Sequence, residues 1–443
     1  MPRPPAGRAT RLPKRPALAA LLALLSVALL AGCTAGPSTR PAVVVRSGPG
    51  NQEATNPGAP NTPNLPPLEK PTSSDMPWVD CDQETRKRLG NGVAPKSIKF
   101  QCAQLLGAVE PRITPQTEIT RISVLKAGNG PVPLVVLNDA DGVPGSLYAA
   151  NLAGKLPTQL LKTFSLIGVD RRGTGESDGV HCIPPDVRQA LLGYDPHTSQ
   201  LGGLIQAGST ATQQCVIALD NRLQTLNTTN TVDDLETLRQ ALHVDKLNAL
   251  SRGEASRVLS IYAQRHSAHV GRFVLDGLPD PTVDDQARAE GKAMAAEDAF
   301  DAFAGACKAG DCPLGDNPEQ TLRDLLGQLA SAPLLSGDGI RMTSGMALNA
   351  VLVGLADRSR WTELATALSE ARSGRADALA NFVRPLLTDS LYESARLDAG
   401  LIIGCNDDKN RLPPERATAA YNQWKDKYPL FGTHFAQSLL SCL

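Results

Sequence analysis

Residues 247–277 place the strongest constraint on what this chain can fold into. They predict a short buried strand, a sharp turn, an amphipathic helix and a second buried strand. One helix face is marked by apolar residues at the i, i+3, i+4 and i+7 positions, which are Ala255, Val258, Leu259 and Tyr262. Residues 273–275 form the compact apolar run of a parallel core strand, and Asp276-Gly277 is a turn signal that ends it. A strand, a helix and a second strand in succession predict a parallel sheet with right-handed crossovers.

The rest of the chain first repeats this alternation and then departs from it. Three earlier apolar runs predict strands, at residues 122–125, 133–137 and 165–170. A helix is predicted at 233–242, with Thr231 as its N-cap. After Pro281 the pattern is helical throughout, with Ala-rich or Leu-rich segments around 285–305, 319–329 and 361–380. We interpret this later part as a helical cap inserted into an α/β fold.

Length and composition limit the class of protein. At 443 residues the chain is long enough for one large domain with an inserted cap, or for two domains. With 44 basic and 45 acidic residues it lacks the basic footprint of a nucleic-acid-binding protein, so we expect no nucleic-acid partner. Aromatic residues make up only 4% of the chain, which argues against a stacking platform for bases or sugars.

The N-terminal residues have the pattern of an export signal. Basic residues precede a short apolar run at 17–30, and Leu30-Ala31-Gly32-Cys33 ends it. Residues 30–33 resemble a bacterial lipobox, in which the cysteine is lipidated. The alternative is an ordinary signal peptide with an unrelated cysteine. Acyl chains on Cys33 would hold the exported protein on the outer face of the bacterial cytoplasmic membrane or cell envelope. Residues 34–77 are rich in Pro, Gly, Ser, Thr and Asn, which predicts a disordered tether.

The remaining cysteines support export. Eight are left once Cys33 is set aside, namely Cys81, Cys102, Cys182, Cys215, Cys307, Cys312, Cys405 and Cys442. An even number in an exported chain indicates disulfides, and we predict sequential pairing, although many other pairings are open. No C-x-x-C motif or Cys/His cluster occurs, so we expect neither a metal site nor a cofactor.

Several segments together resemble exported α/β-hydrolases of the tripeptidyl or prolyl aminopeptidase type. These segments are Trp78 with Cys81 and Cys102, the turn 169–177 (VDRRGTGES), residues 262–265 and 270–277, and Cys405, residues 429–432 and Cys442. The resemblance implies an α/β-hydrolase-like, mostly parallel sheet with an inserted helical cap, and a serine aminopeptidase or esterase activity. Together with the N-terminal pattern it divides the chain into a signal peptide with lipobox (1–33), the tether (34–77), an α/β-hydrolase core (78–281) and a helical cap region (282–443).

The nucleophile of this family falls on a glycine. Counted back from Tyr262, the catalytic serine of the G-x-S-x-G elbow corresponds to Gly253, which has no side chain to attack a carbonyl. Ser251 and Ser256 lie nearby but not at the tip of the turn. Ser251 and Glu254 have the spacing of a capping box, so we interpret the segment as a capped helix start.

A literal G-x-S-x-G does occur elsewhere, at residues 175–179. Pro184-Pro185 follows it where an elbow needs a helix. We therefore predict that Ser177 belongs to a structural turn.

The other catalytic parts also depart from the family pattern. A remnant of the Gly-Gly-Pro-Gly oxyanion loop is expected at Gly142, Val143, Pro144 and Gly145. Asp139 and Asp141 precede it, and we expect both to cap a solvated turn. The late strands that carry the catalytic Asp and His are expected after the cap, and they are missing before Leu443.

The histidines do not supply the missing base. His434 lies in a predicted helix and is expected to pack or to face solvent. His266 and His269 end the elbow helix, and we expect them to face water or the carbonyls at its C-terminus.

The sequence thus predicts a surface lipoprotein with a degenerate α/β-hydrolase fold, catalytically inactive and at most a binding protein. Its ligand is unknown, with a peptide as the candidate. Two alternatives stay open. One is an active hydrolase that uses Ser251 or Ser256 with His434, and the other is a truncated family member that lacks the late strands.

Overall fold

The computed structural model describes residues 65, 67–90, 94–95, 97–107, 120–280, 282–390, 393–408 and 411–442. The predicted export signal, Cys33 and most of the tether lie outside the described residues. Within those ranges, no helix has both the length and the apolar character needed to cross a membrane.

A seven-stranded sheet forms the centre of the fold. Its strands are β1 (Val79–Asp80), β2 (Phe100–Leu106), β3 (Arg121–Ala127), β4 (Val132–Leu137), β5 (Phe164–Val169), β6 (Leu247–Arg252) and β7 (Val270–Asp276). They lie in the order β1-β2-β3-β5-β4-β6-β7. Strands β5, β4, β6 and β7 are parallel to one another, whereas β3 runs antiparallel to β5 and to β2. The fold class is the α/β-hydrolase-like, mostly parallel sheet that the sequence predicts.

Helices connect the strands up to β7, and most of the chain after β7 is helical. Those before β7 are α1 (Asp82–Leu89), α2 (Gly145–Lys155), α3 (Thr158–Thr163), α4 (Pro185–Leu192), α5 (Gly202–Leu219), α6 (Thr228–Ala241) and α7 (Ala255–Arg265). Those after it are α8 (Asp285–Lys308), α9 (Pro318–Ser331), α10 (Ser344–Leu355), α11 (Trp361–Arg372), α12 (Asp377–Leu387), α13 (Arg396–Asp407), α14 (Pro414–Lys427) and α15 (Gly432–Ser438). A two-stranded ribbon of β8 (Leu334–Leu335) and β9 (Arg341–Met342) interrupts the later helices.

Both faces of the sheet are covered because alternate side chains of a strand point to opposite faces. In β4, Val135 and Leu137 join the apolar cluster that α6 and α7 complete. Val136, between them, joins the cluster on the other face, which α2 completes. This two-sided burial explains why the central strands are continuous apolar runs rather than alternating patterns.

The later helices enclose a core of their own, which includes Phe300, Phe303 and Phe382. Helix α4 joins this helical layer although it precedes the elbow in sequence. Its Arg188 forms an ion pair of 2.7 Å with Asp398 of α13, and both side chains are almost completely buried. The layer above the sheet is therefore assembled from segments on both sides of residue 281.

Two local predictions are wrong, and the structure refines a third. Helix α6 begins at Thr228 with Asn227 as its N-cap, not at 233 after Thr231. The helical segment predicted around 361–380 contains parts of two helices, because the chain turns between them at Gly374 with a φ of +84°. Strand β7 is not buried at its end, since it pairs only with β6 in the described sheet and leaves Val274 54% exposed.

Four disulfides are present among the described residues, and they follow the sequential order. They join Cys81 to Cys102, Cys182 to Cys215, Cys307 to Cys312, and Cys405 to Cys442. We refer to the third, which joins residues only five apart in the chain, as the short-range disulfide.

Candidate functional site

The turn after β5 organises the floor of the site through buried hydrogen bonds. Ser177 donates from Oγ to the carbonyl of Asp170 at 2.7 Å and accepts from the amide of Ser123 at 2.7 Å. The Asp170 carboxylate accepts from the amide of Ser146 in the first turn of α2 at 2.8 Å. Ser177 is therefore part of a structural turn, as predicted, and its hydroxyl is committed to holding two strands together.

The elbow itself is formed where β6 ends and α7 begins. Gly253 occupies its tip with a φ of +59°, a region that favours glycine, and donates its amide to the carbonyl of Asp276 at 2.7 Å. The predicted capping box is wrong. Ser251 still belongs to β6, where its buried Oγ donates to Ser256 at 3.0 Å, and Glu254 pairs with Lys292 at 2.9 Å.

Asp139 provides the side-chain acceptor at the start of α7 that Ser251 was expected to provide. It lies in the loop after β4, and its carboxylate accepts a hydrogen bond of 3.1 Å from the amide of Ala255, the first residue of α7. The same carboxylate lies against the tip of the elbow, because a Cβ atom added to Gly253 would overlap Asp139 Oδ2 and lie 2.7 Å from Oδ1. Asp139 therefore does not cap a solvated turn. It fills the space of the missing side chain at residue 253.

Burial makes this carboxylate easy to protonate. Loss of hydration, followed by repulsion from Asp141, raises the pKa of Asp139 from its ordinary 3.8 to about 6. The hydrogen bond from Ala255 and the positive charge of Arg171 act in the opposite direction and are outweighed. Near neutral pH the elbow thus holds a largely ionised carboxylate at the start of a helix, where negative charge is favoured.

A cavity of about 160 Å³ lies beside the elbow, between the sheet and the helical layer. Its lining includes five carboxylates and four cationic side chains, contributed by Asp139, Asp141, Glu254, Asp407, Asp408, Arg171, Arg257, Arg288 and Lys292. Several of these charges pair with one another, as Arg288 does with Asp408 at 3.2 Å. A site of this composition suits a small polar ligand that carries charge.

Arg171 is the most deeply placed cation of this cavity. Only 4% of the residue is exposed, and its guanidinium donates to Thr228 at 3.0 Å. Its Nε has no hydrogen-bond partner among the described residues, and burial lowers the pKa of the guanidinium. A buried donor without a partner is costly, so an anionic or carbonyl group of a ligand would be stabilised there.

The other predicted site residues do not meet at the elbow. Ser251 and Ser256 are fully buried and hydrogen-bonded to each other, and neither lines the cavity. His434 lies on α15 against the ring of Phe435, is absent from the cavity lining, and has its pKa lowered to about 4 by burial. In the loop at 142–145, the amide of Gly142 donates to the carbonyl of Asp139 at 3.1 Å.

A second group of residues was not predicted from the sequence. His269 does not simply face water, because its Nδ1 is 3.1 Å from a carboxylate oxygen of Glu236, and His266 lies beside them. The H-x-x-H spacing at 266–269 was the available signal. Its carboxylate partner lies about thirty residues earlier, on another helix, where a local pattern cannot reveal it.

Comparison with known proteins finds relatives that are named as hydrolases and peptidases. No family model matches it. It is 28% identical over 295 residues to the serine protease Hip1 of Mycobacterium tuberculosis, covering 62% of this chain and 56% of Hip1. It is 27% identical over 126 residues to a tripeptidyl aminopeptidase of Streptomyces lividans, covering 28% of this chain and 24% of that protein. The chain thus spans little more than half the length of Hip1.

Solved structures give a weaker match. One is a proline iminopeptidase-related protein from Thermus thermophilus, with 18% identity and a TM-score of 0.23 over 39% of this chain and 44% of that one. The fold assignment therefore relies on the sheet topology itself. The chain has an α/β-hydrolase-like fold, and its relatives are hydrolases.

Proposed function

We propose that this protein is a lipid-anchored binding protein built on an α/β-hydrolase fold, and that it performs no hydrolysis at its elbow. One observation carries the proposal. The Asp139 carboxylate lies where a side chain at residue 253 would project, with Oδ1 2.7 Å from the position of its Cβ atom and Oδ2 nearer still. A nucleophile at the elbow would require this carboxylate to move away from the tip of the turn.

The same carboxylate also opposes the chemistry that a serine hydrolase needs. Acyl transfer requires hydrogen-bond donors and positive potential at the developing oxyanion. Here the amide of Ala255 already donates to Asp139, and Asp141 and Glu254 add further negative charge nearby. An oxyanion formed beside this turn would be repelled rather than stabilised.

The cavity indicates the class of ligand. Its volume of about 160 Å³ is small, which suits one charged end of a larger molecule or one small molecule. Carboxylates and cations both line it, so a zwitterionic group can be matched at each end. We therefore propose the terminus of a peptide, or a free amino acid, as the ligand. The names of the relatives, a serine protease and an aminopeptidase, support peptides as the class.

Covalent labelling tests the absence of hydrolysis. Purified protein is treated with a fluorophosphonate probe and analysed by peptide mass spectrometry, with an active serine hydrolase as the positive control. We expect no labelled serine, and none in Gly253→Ser either, because Asp139 occupies the space beside it. Labelling of Ser251 or Ser256 would refute the proposal and support the alternative of a rearranged active site.

Calorimetric titration with short peptides and amino acids tests binding. Arg257 lines the cavity, whereas Arg265 lies on the same helix outside it, so the two form a matched pair. We expect Arg257→Ala to weaken binding at least about tenfold, the effect of losing one charge-assisted hydrogen bond, and Arg265→Ala to leave it unchanged. Equal effects of both variants would show that the ligand binds elsewhere.

Anchoring needs its own test, since Cys33 lies outside the described residues. Cell fractionation of the wild type and of Cys33→Ala, followed by mass spectrometry of the mature N-terminus, reports on lipidation. We expect the wild type in the membrane fraction with an acylated N-terminus, and the variant released from it. Release of both proteins from the membrane fraction would favour the unrelated-cysteine alternative.

A further inference from the structure

The cluster of Glu236, His266 and His269 lies at the end of α7 opposite the elbow. Glu236 belongs to α6, His266 directly follows α7, and His269 precedes β7. One carboxylate oxygen and one ring nitrogen from each histidine all lie within 4.8 Å of one another. Since α7 has 11 residues at a rise of 1.5 Å each, about 16 Å of helix separates His266 from the elbow. It is separate from the charged cavity.

The distances between His269 and Glu236 are close to those between two ligands of one metal ion. His269 Nδ1 lies 3.1 Å and 3.2 Å from the two carboxylate oxygens of Glu236. In a tetrahedral zinc site with bonds of about 2.0–2.2 Å, neighbouring ligand atoms are about 3.3–3.6 Å apart. A small outward movement of one ring would therefore admit the ion.

His266 provides an independent indication. Its Nε2 is buried and has no hydrogen-bond partner among the described residues. Buried ring nitrogens normally have a partner, and the described residues do not supply one here. A metal ion coordinated through this nitrogen would satisfy it.

The carboxylate is already held in place by its neighbours. Tyr262 donates its hydroxyl to Glu236 Oε2 at 2.7 Å, and Arg239 donates to Oε1 at 2.7 Å. Such contacts orient a ligand before the ion arrives, as the outer shell of metal sites does.

Two cationic side chains near the cluster repel a bound metal ion and so limit its affinity. One is Arg239, and the other is Lys246, whose Nζ donates to the carbonyl of Ala268 beside His269. A hard cation such as Mg²⁺ or Ca²⁺, which prefers several carboxylate oxygens, gains little from one carboxylate under this repulsion. Two imidazoles and a carboxylate instead suit Zn²⁺, as in known sites with three protein ligands and one open position.

We propose that Glu236, His266 and His269 form a zinc site with its fourth position open to water. The ion joins α6, the end of α7 and the start of β7, which are otherwise linked here by hydrogen bonds. Because the ion binds the folded state and the ligands are apart in the unfolded chain, binding raises the melting temperature.

The test uses the full chain, purified without a histidine tag and treated with chelator. Zn²⁺ titration is followed by calorimetry and by melting temperature, and Co²⁺ substitution by the visible bands of a four-coordinate ion. His269→Ala removes a half-exposed ligand, and His197→Ala, an exposed histidine outside the cluster, is the matched control. We expect one ion per chain, with affinity at least about tenfold lower in His269→Ala and unchanged in His197→Ala.

Three outcomes would overturn the proposal. They are no Zn²⁺ binding by the wild type in large excess of metal, unchanged affinity in His269→Ala, and Co²⁺ spectra of a six-coordinate aqueous type. Tyr262→Phe keeps all three ligands and loses one orienting hydrogen bond. It should weaken Zn²⁺ less than His269→Ala does, and the reverse order would also contradict the assignment.

Discussion

Asp139→Asn should stabilise the protein at neutral pH and leave its stability unchanged in acid. The substitution keeps an oxygen that can accept from the amide of Ala255 and removes the charge. The pKa of Asp139 rises from 3.8 to about 6 on folding, so the ionised form is disfavoured by roughly two pKa units. At 1.36 kcal/mol per unit this corresponds to about 3 kcal/mol, or roughly 4 °C in Tm for a folded chain of this size.

The sign of the pH dependence follows from proton linkage. Between pH 3.8 and 6 the folded state holds more protons at Asp139 than the unfolded state, so wild-type stability falls as the pH rises through this window. Below the window the carboxyl is neutral in both states, and the variant has no advantage. Above it the advantage of Asp139→Asn reaches its full value.

Thermal unfolding of both proteins across this pH range, with disulfides intact, measures the difference in Tm. Asp316→Asn, which removes an exposed carboxyl from a loop, is the control for loss of one negative charge. We expect the difference for Asp139→Asn to grow between pH 4 and 7 and that for Asp316→Asn to stay nearly constant. A Tm difference at residue 139 that is independent of pH, or a destabilised variant at pH 8, would refute the reasoning.

Other features give predictions that unfolding and binding measurements can check. Asp398→Ala leaves the buried guanidinium of Arg188 without its main partner and should lower the free energy of unfolding by about 3–5 kcal/mol in urea titrations. A loss below about 1 kcal/mol would mean that water reaches the guanidinium. Replacing Cys182 and Cys215 by alanine removes a cross-link between residues 33 apart in the chain and should lower the free energy of unfolding by about 4 kcal/mol. This is about twice the loss expected when the short-range disulfide is removed, and equal losses would contradict the chain-entropy argument. Ser251→Ala removes a buried hydrogen bond and should lower the free energy of unfolding by about 1 kcal/mol, with ligand binding unchanged. Loss of binding would show that this hydroxyl reaches the cavity.

The sheet and most helices could be predicted because their patterns are local. Continuous apolar runs such as 133–137 are strands covered on both sides, and the i, i+3, i+4, i+7 face of α7 is its buried face. What failed depends on contacts between distant segments. The exposure of Val274 follows from which strand lies beside β7, and a run of apolar residues carries no information about that neighbour.

The candidate site was predictable in part for the same reason. Counting back from Tyr262 places Gly253 at the tip of the elbow, and the structure has it there with positive φ. The role of Asp139 could not be predicted, because it depends on two loops that meet across 116 residues. The capping box between Ser251 and Glu254 failed because β6 extends through residue 252 and keeps Ser251 in the sheet.

The contact between residues 139 and 253 also restricts which sequences this lineage can reach by single mutations. A serine introduced first at residue 253 would meet the Asp139 carboxylate at van der Waals overlap. If Asp139 changes first to a smaller residue, the amide of Ala255 loses its acceptor at the start of α7. Each first step therefore disturbs the elbow, one through its packing and the other through a lost hydrogen bond. Residues 139 and 253 are thus coupled, and a serine at this elbow requires a change at both positions.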